Sequence, residues 1–573
     1  MFYFKFLKKA FFLVEKKDYI IITKLLLLTF LTSIAEILSV GLVIPILNLF
    51  VGNDYLKFLE YFNFIKLSDK NEILFFILIL LALAHILKFY LNKLLIFSQN
   101  AFSQNFYVKV SRYLFNDYLN KKYSFFVNKN SSELTRNVMS EAFLYSSGVI
   151  FHYVRLFSEL IIFTSLTILL LFYNYQITLI SISFFSIIGY FFYKSNAYKL
   201  KKIGKKRQYH TDKIFKRLKE SFSGFRELIL NKLQKVFFEN YLYHAKENAL
   251  IAIKKDNTIA LPRLVLELIT IFILIIVITY LVLSGYDMDE ILVLLGVFFY
   301  TIVRILPSVA KIVQSAQSIK FNEPVINLIY EQLNNRIKEI DYKFENKSKI
   351  NFNNITFNNV SFYYKKEKLI LNNINLKIAN KQKIGIIGQS GSGKSTLINL
   401  FCGLLESNKG DLKVDDKNYE TLRNSLQSNI GYVPQNVTIF DESIIFNITL
   451  EPDLSKVNYA KLKKILKEVK LEDVINNLTN KEYEIVGENG AKLSGGQCQR
   501  LGIARVLYRS PNIIVFDEAT SALDDETEKY VLDSLFSNYK DKTIMISTHK
   551  SKPLKYCDMI YEIKDSQLIK VKN

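Results

Sequence analysis

The stretch GQSGSGKS, residues 388–395, decides the fold of the C-terminal part of this 573-residue chain. It follows the apolar run KIGII and precedes TLINLF, which is the order strand, glycine-rich loop, helix. The loop fits the spacing G-x-x-x-x-G-K-S/T, in which backbone N–H groups and the helix N-terminus form an anion nest. This context predicts that the loop binds the phosphates of a nucleotide.

Two side chains of the loop have separate predicted tasks. Lys394 is expected to reach the β- and γ-phosphates, and Ser395 presents a hydroxyl to Mg²⁺. ATP and Mg²⁺ are therefore the predicted cofactors. The loop residues predicted to bind nucleotide are Gly388, Gln389, Ser390, Gly391, Ser392, Gly393, Lys394, Ser395 and Thr396.

A second motif lies about 120 residues further along the chain. IIVFDE, residues 513–518, is an apolar run that ends in two carboxylates. A buried strand ending in Asp517 suits a carboxylate linked to the metal, and Glu518 beside it can polarise an attacking water. Strand–Asp–Glu sequences also occur by chance, but behind a phosphate loop this pair predicts ATP hydrolysis.

The rest of the C-terminal part alternates short apolar strands with amphipathic helices, which is the α/β pattern of a parallel sheet. The N-terminal part differs, because it contains long apolar windows of the ~20 residues that a membrane-spanning helix needs. These six predicted spans are 20–51, 73–98, 146–172, 175–195, 258–284 and 289–312. The predicted fold is thus an α-helical membrane domain joined to an α/β phosphate-loop domain.

Charge sets the orientation of the spans. The chain carries a formal net charge of +22, and KLKKIGKKRQYHTDKIFKRLK between spans four and five is strongly basic. The positive-inside rule puts this segment in the cytoplasm, with both termini on the same side. Half of the residues are hydrophobic, so a membrane protein fits this charge better than a nucleic-acid binder, and no nucleic-acid partner is expected. The three cysteines lie far apart and predict reduced thiols, not a metal site.

The segment KLSGGQCQR resembles the signature sequence of ATP-binding cassette (ABC) proteins. Other family motifs follow in order along the domain. Tyr364 resembles the aromatic residue that stacks on adenine. Gln435 resembles the glutamine that contacts the metal and links the state of the nucleotide to the membrane domain. His549 resembles the histidine that senses the γ-phosphate. The resemblance further implies nucleotide contacts from Ser494, Gly495, Gly496, Gln497 and Asp524.

The resemblance implies an ATP hydrolase coupled to transport. Lys394, Gln435, Glu518 and His549 are its expected catalytic residues, and Ser395, Gln435 and Asp517 its expected metal contacts. Two departures from the family pattern are Cys498, where a basic residue is frequent, and Lys550, where Arg is common. Neither position performs the chemistry.

One cassette per chain implies a homodimer, because in this family the phosphate loop of one subunit meets the signature of the other. Six spans ahead of one cassette resemble the exporter layout. Segments 123–142 and 218–232 resemble the coupling helices of exporters, with ordinary cytoplasmic helix ends as the alternative. The predicted domains are a membrane domain over 1–318, a linker over 319–350 and a nucleotide-binding domain over 351–573. The predicted location of the protein is a bacterial inner membrane.

Charges inside the spans are costly in lipid and predict function. Counted along the helices, Glu36, Lys88, Glu159 and Arg304 lie about 20–23 Å below the outer face. Arg155 with Glu159 and Arg263 with Glu267 are four residues apart and are expected to neutralise one another. Two cations, Lys88 and Arg304, then remain for one carboxylate, Glu36. The spans of each subunit therefore keep an excess of positive charge, which predicts an anionic substrate.

The last span carries a polar stripe of Tyr300, Arg304, Ser308, Lys311 and Ser315, at three- and four-residue steps. This stripe is expected to face a water-filled cavity or the dimer axis instead of lipid.

The membrane domain is similar to bacterial flippases for lipid-linked oligosaccharides of the protein N-glycosylation type. The similarity lies in 33–50, 261–269 and 303–313. It implies a polyprenyl-pyrophosphate glycan as substrate, with Lys88, Arg263 and Arg304 as candidate contacts. The external segment 55–67 either touches the polyprenyl tail or lies on the membrane. The alternatives are a lipid A-type, multidrug or peptide exporter, and, from another class, a non-transporting cassette sensor or an ATP-gated channel.

Overall fold

A computed structural model of the protein describes residues 7–51, 70–285, 287–334, 352–365 and 368–572. The predicted external segment 55–67 and residues 335–350 of the predicted linker lie outside these residues. The described chain divides into two compact units, one of residues 7–121 and 128–334 and the other of residues 122–127 and 352–572.

The first unit is entirely helical in its described part. Its helices are α1 Lys16–Gly41, α2 Val43–Val51, α3 Lys70–Leu119, α5 Ser131–Arg136, α6 Ala142–Tyr145, α7 Phe151–Tyr173, α8 Tyr175–Ser223, α9 Phe225–Leu230, α10 Gln234–Leu283, α11 Met288–Phe321 and α12 Glu323–Leu333. The six-residue helix α4, Tyr123–Asn128, precedes α5, and most of it belongs to the second unit.

Two π-helical turns, Asn137–Glu141 and Ser146–Ile150, join α5, α6 and α7 into one helical run over 131–173. Three helices, α3, α8 and α10, have 49 or 50 residues and so extend well past the ~20 residues that cross a bilayer. Helices of this length are long enough to project beyond a bilayer.

In the described part of the chain, five helical runs are long and apolar enough to cross a membrane. They are Lys16–Phe50, Asn71–Leu119, Ser131–Tyr173, Gln234–Leu283 and Ile291–Phe321. The remaining predicted span, 175–195, forms the first part of the continuous helix α8.

The core of the membrane unit lies where α7, α10 and α11 meet. Leu166, Ile273 and Phe298 are buried there. Pro307 lies inside α11 without ending it, as membrane helices allow when neighbouring groups satisfy the freed backbone. The end of α11 at Phe321 and the whole of α12 group with this unit, while the predicted boundary at 318 stays a prediction.

The second unit has two sheets. Its strands are β1 Asn354–Lys365, β2 Lys368–Ala379, β3 Lys383–Gly388, β4 Lys409–Val414, β5 Lys417–Asn418, β6 Ile430–Val433, β7 Ile513–Asp517, β8 Thr543–Ser547, β9 Met559–Lys564 and β10 Gln567–Lys572. One sheet is antiparallel with the order β2-β1-β4-β5, and the other has the order β10-β9-β3-β8-β7-β6.

The strands of the second sheet from β9 to β6 are parallel, and the chain between the strands of this unit forms helices. They are α13 Lys394–Phe401, α14 Tyr419–Asn429, α15 Ile444–Thr449, α16 Tyr459–Glu468, α17 Glu472–Asn476, α18 Gly495–Arg509, α19 Asp525–Asn538 and α20 Ser551–Leu554. The helical membrane domain and the α/β domain confirm the predicted fold class. Because β3, β8 and β7 are neighbours, the loops after their carboxyl ends meet at one edge of the sheet.

Candidate ATP site and membrane charges

The phosphate loop lies between β3 and α13, as predicted. Gly391 and Gly393 have φ angles of 79° and 110°, which side chains other than glycine rarely adopt. These left-handed residues turn the backbone around the loop immediately before the first turn of α13. The loop therefore has the backbone form of an anion nest at a helix N-terminus.

Lys394 lies inside this loop. Its Nζ donates hydrogen bonds to the carbonyl oxygens of Gly388 and Gln389, at 2.8 and 3.1 Å, and lies 3.7 Å from Glu518 Oε1. Burial lowers the pKa of Lys394, while the carboxylates of Glu518 and Asp517 act in the opposite direction. A buried ammonium held among oxygen atoms is suited to the charge of a phosphate.

The two carboxylates after β7 have different surroundings. Asp517 is buried and accepts a hydrogen bond from the Tyr432 hydroxyl at 3.3 Å. Glu518 has a φ of 51° and donates its N–H to the Ser547 carbonyl at 3.0 Å. This left-handed backbone is uncommon outside glycine and asparagine, and such conformations cluster at functional sites.

Glu518 is the centre of the predicted catalytic group. Gln435 Nε2 donates to Glu518 Oε2 at 2.9 Å, and His549 Nε2 lies 2.9 Å from Glu518 Oε1. His549 Nε2 also lies 2.9 Å from Lys394 Nζ. The four side chains predicted to be catalytic are thus joined in one network, although they come from four separate segments of the chain.

The signature begins α18. Ser494 is its N-cap, and Ser494 Oγ accepts from the Gln497 N–H while Gln497 Oε1 accepts from the Ser494 N–H at 2.8 Å. This reciprocal capping box fixes the start of the helix. Asp524 caps α19 in a similar way by accepting from the Thr527 N–H at 2.9 Å, which lowers the pKa of Asp524.

The remaining predicted nucleotide contacts differ in their exposure. Tyr364 on β1 is 52% exposed, and its ring makes an edge contact with Phe362 at 4.9 Å. Ser395 in the first turn of α13 is exposed, whereas Thr396 is buried. An exposed ring on β1 and an exposed hydroxyl after the loop are accessible to adenine and to a metal, respectively. In the described part of the chain, no three His, Cys, Asp or Glu side chains form a metal-binding group by themselves.

Both departures from the family pattern are accommodated locally. Lys550 Nζ donates to Glu528 Oε2 at 3.2 Å and to the Thr520 carbonyl at 3.3 Å. Glu528 is completely buried, so Lys550 supplies the charge partner that a buried carboxylate requires. Cys498 is half-buried, and burial raises the pKa of its thiol. No sequence pattern indicated the roles of Glu528 and Tyr432.

Lys122, the residue before α4, belongs to the second unit. Within that unit, Lys122 Nζ lies 2.6 Å from Glu406 Oε1, and Arg423 lies 2.8 Å from the same oxygen. These hydrogen bonds from Lys122 and Arg423 lower the pKa of the Glu406 carboxyl. The coupling roles of 123–142 and 218–232 stay predictions.

The membrane charges pair as expected at Glu36 and Glu267 and differently at Glu159. Lys88 Nζ lies 2.5 Å from Glu36 Oε2, and Arg263 Nε lies 2.9 Å from Glu267 Oε1. The expected Arg155–Glu159 pair is wrong, because Lys311 from α11 lies 2.6 Å from Glu159 Oε1. Helix packing brings a cation from another helix closer than the neighbour on the same helix.

Arg304 has no ion pair with a carboxylate in the described part of the chain. Its Nη2 lies 3.1 Å from His85 Nε2 and 3.2 Å from the Tyr300 hydroxyl, and its guanidinium also lies over the Tyr300 ring. His85 is on α3, one turn before Lys88. The sequence had not indicated His85, since a single histidine in an apolar helix gives no periodic signal.

The polar stripe of α11 contacts polar groups on other helices of the same unit. Tyr300 meets His85 at 3.1 Å, Lys311 meets Glu159, and Ser315 Oγ lies 3.3 Å from His152 Nδ1. The stripe therefore faces α3 and α7.

Comparison with known protein families gives two matches. The family described as ABC transporter transmembrane region matches residues 20–305, and the family described as ABC transporter matches residues 371–521. The latter domain implies ATP hydrolysis coupled to transport. Between them the two matches take in most of the chain.

Two curated relatives illustrate the range of similar proteins. The "Multidrug resistance-like ATP-binding protein MdlB" of Buchnera aphidicola is 36% identical over 227 residues, which is 39% of this chain and 39% of that protein. The "Alpha-hemolysin translocation ATP-binding protein HlyB" of Escherichia coli is 40% identical over 221 residues, or 38% and 31% of the two chains. The similarity thus spans well under half of these relatives.

A solved structure matches the fold of almost the whole chain. It is described as a bacterial Atm1-family ABC exporter with ATP bound, with a TM-score of 0.80 at 19% identity over 97% of this chain and 94% of the other. The two family matches show that the chain belongs to the ABC transporters, with a transmembrane region and an ATP-binding domain fused in one polypeptide.

Proposed function

We propose that the protein is a homodimeric ATP-driven flippase that moves a polyprenyl-pyrophosphate-linked oligosaccharide from the inner to the outer leaflet. The bilayer is a bacterial inner membrane, with both termini in the cytoplasm. In this proposal the phosphate loop of one subunit and the signature of its partner enclose each ATP.

The ATP chemistry rests on the network around Glu518. Glu518 is the base that polarises the attacking water, and Gln435 and His549 orient its carboxylate from either side. Lys394 neutralises phosphate charge. Ser395, Asp517 and Gln435 offer the oxygen ligands that Mg²⁺ prefers, and Mg²⁺ would stabilise charge on the β- and γ-phosphates.

The observation that supports an anionic substrate is Arg304. Lys88, Lys311 and Arg263 each have a carboxylate within 2.9 Å, whereas the described contacts of Arg304 are the His85 imidazole and the Tyr300 hydroxyl and ring. An unneutralised guanidinium in a membrane helix is expensive. Its planar donor fork matches phosphate oxygens, so a pyrophosphate would compensate the charge that the protein leaves open.

Lys88 and Arg263 are weaker candidates for pyrophosphate contacts, since Glu36 and Glu267 already pair with them. Arg263 is also two-thirds exposed on the membrane unit. Each remains a candidate only if the substrate displaces a carboxylate. The role of segment 55–67 in holding the polyprenyl tail is likewise proposed from its sequence.

Substrate-stimulated ATP hydrolysis tests the choice of substrate. We expect the reconstituted protein to hydrolyse ATP faster with a polyprenyl-pyrophosphate oligosaccharide, because substrate bound between the spans favours closure of the cassettes. The same glycan on a polyprenyl monophosphate is the matched control and should stimulate less. Stimulation by a lipid A-type glycolipid, a hydrophobic drug or a peptide, with none by the pyrophosphate, would contradict the proposal and identify an alternative exporter class.

A further inference from the structure

Gln499 is a buried residue of α18 to which no role has yet been assigned. It lies one turn beyond the capping serine of the signature and is only 5% exposed. Its Nε2 donates to the Ser521 hydroxyl at 3.0 Å and lies 3.4 Å from the Gln435 carbonyl oxygen. Its Oε1 accepts from the Ala522 N–H at 2.9 Å. The amide group thus has partners for both of its N–H bonds and for its oxygen.

The partners of Gln499 are the segments next to the catalytic carboxylate. Gln435 donates its side-chain amide to Glu518, and the Ser521 N–H donates to the Glu518 carbonyl at 3.1 Å. Gln499 therefore contacts two segments that touch Glu518. One contains Gln435, whose side chain donates to the Glu518 carboxylate, and the other contains Ser521, whose N–H donates to the Glu518 carbonyl oxygen.

The same contacts lead to the signature. Ala522 packs against the start of α18, where a Cβ added at Gly496 would lie 3.0 Å from the Ala522 carbonyl oxygen. Because the approach is this close, a shift of the segment 521–522 must shift the start of α18 or lose the contact. Gln499, itself in α18, joins this helix and the segment 521–522 to the Gln435 carbonyl.

We propose that Gln499 is a positioning residue that couples the two ATP sites of the dimer. This inference rests on the proposed function, in which Gln435 and Glu518 act on the ATP of their own subunit. The signature and the loop 522–524 then face the ATP of the partner. Binding or hydrolysis of ATP in one subunit moves Gln435 of that subunit. The amide of Gln499 passes this movement to the signature and to the loop 522–524, which contact the ATP of the partner subunit.

Two variants of the full-length protein test this role. Gln499→Leu keeps the bulk of the side chain and removes all three contacts. Gln499→Glu keeps an oxygen for the Ala522 N–H but has no N–H for the Gln435 carbonyl. Gln427→Leu is the matched control, because Gln427 Nε2 donates to two loop carbonyls, those of Cys402 and Gly403, away from Glu518. ATP hydrolysis is measured against ATP concentration, together with thermal stability.

We expect wild-type protein to hydrolyse ATP with a Hill coefficient above 1, as two coupled sites allow. Both Gln499 variants should bring it to about 1, and Gln499→Leu should also lower kcat about tenfold. Gln427→Leu should lose comparable thermal stability and keep its Hill coefficient. Gln499→Glu tests the coupling even if Gln499→Leu fails to fold.

The outcomes that overturn the inference are distinct from failure of the proposed function. If wild-type protein hydrolyses no ATP, the proposed function fails and the inference fails with it. If wild-type protein is active, two results overturn the inference alone: a wild-type Hill coefficient of 1, or an unchanged coefficient in Gln499→Glu. An equal loss of cooperativity in Gln427→Leu would also overturn it, since the effect would then follow from stability.

Discussion

Glu518→Gln is expected to abolish ATP turnover while ATP binding survives. The amide has nearly the shape of the carboxylate but cannot take a proton from the attacking water, and losing a positioned base lowers rates by about 10²–10⁴-fold. In the proposed site, ATP binding depends on the phosphate loop and Tyr364, which the substitution does not alter. Phosphate release and binding of a fluorescent ATP analogue, measured on the same preparation, separate the two effects.

The neighbouring acidic residue Glu526 supplies a control for this substitution. Its side chain is 87% exposed on α19 and pairs with Lys470 at 2.9 Å. Glu526→Gln makes the same chemical change without touching the Glu518 network, so ATP turnover should stay close to the wild-type rate. Undiminished hydrolysis by Glu518→Gln would remove Glu518 from the role of base.

Arg304→Ala is expected to keep basal ATP hydrolysis and to lose transport of a pyrophosphate-linked substrate. A hydrogen bond to a charged group contributes about 1.5–3 kcal/mol, so losing the guanidinium should slow flipping by roughly tenfold or more. The cassette residues are unchanged, which is why basal ATP hydrolysis should remain. Flipping of a fluorescently labelled lipid-linked oligosaccharide in proteoliposomes, alongside ATP turnover, measures both.

Two further substitutions distinguish substrate recognition from a structural role for Arg304. Arg304→Gln retains N–H donors for His85 and Tyr300 but has no charge, so it should fail to transport like Arg304→Ala. Arg304→Lys keeps the charge without the planar fork and should recover part of the rate. Normal flipping by Arg304→Gln would show that the guanidinium serves only its contacts with His85 and Tyr300.

Most of the ATP site could be predicted from the sequence, because its parts lie within short motifs of fixed spacing. The loop around Lys394 needs particular backbone angles, and the carboxylates after β7 need a buried strand. The residues that hold these motifs together could not be predicted in this way. Tyr432, Gln499 and Glu528 become informative only when their partners, distant in the chain, are placed beside them.

The pairing of membrane charges was the least predictable feature. Spacing along one helix favoured Arg155 as the partner of Glu159, yet the structure pairs Glu159 with Lys311 of another helix. Which helices are neighbours, and at what rotation, depends on packing across the bundle and not on any one sequence window. The contact between Arg304 and His85 also joins two helices, and a single histidine in an apolar helix gives no periodic signal that would predict it.

The most direct test of the account is ATP-dependent flipping by the wild-type protein. The purified chain is reconstituted into liposomes that contain a labelled polyprenyl-pyrophosphate oligosaccharide, and the label that becomes accessible on the other leaflet is followed over time. We predict flipping that requires ATP and Mg²⁺ and is absent in Glu518→Gln. Active ATP hydrolysis without any movement of this lipid would contradict the proposed substrate.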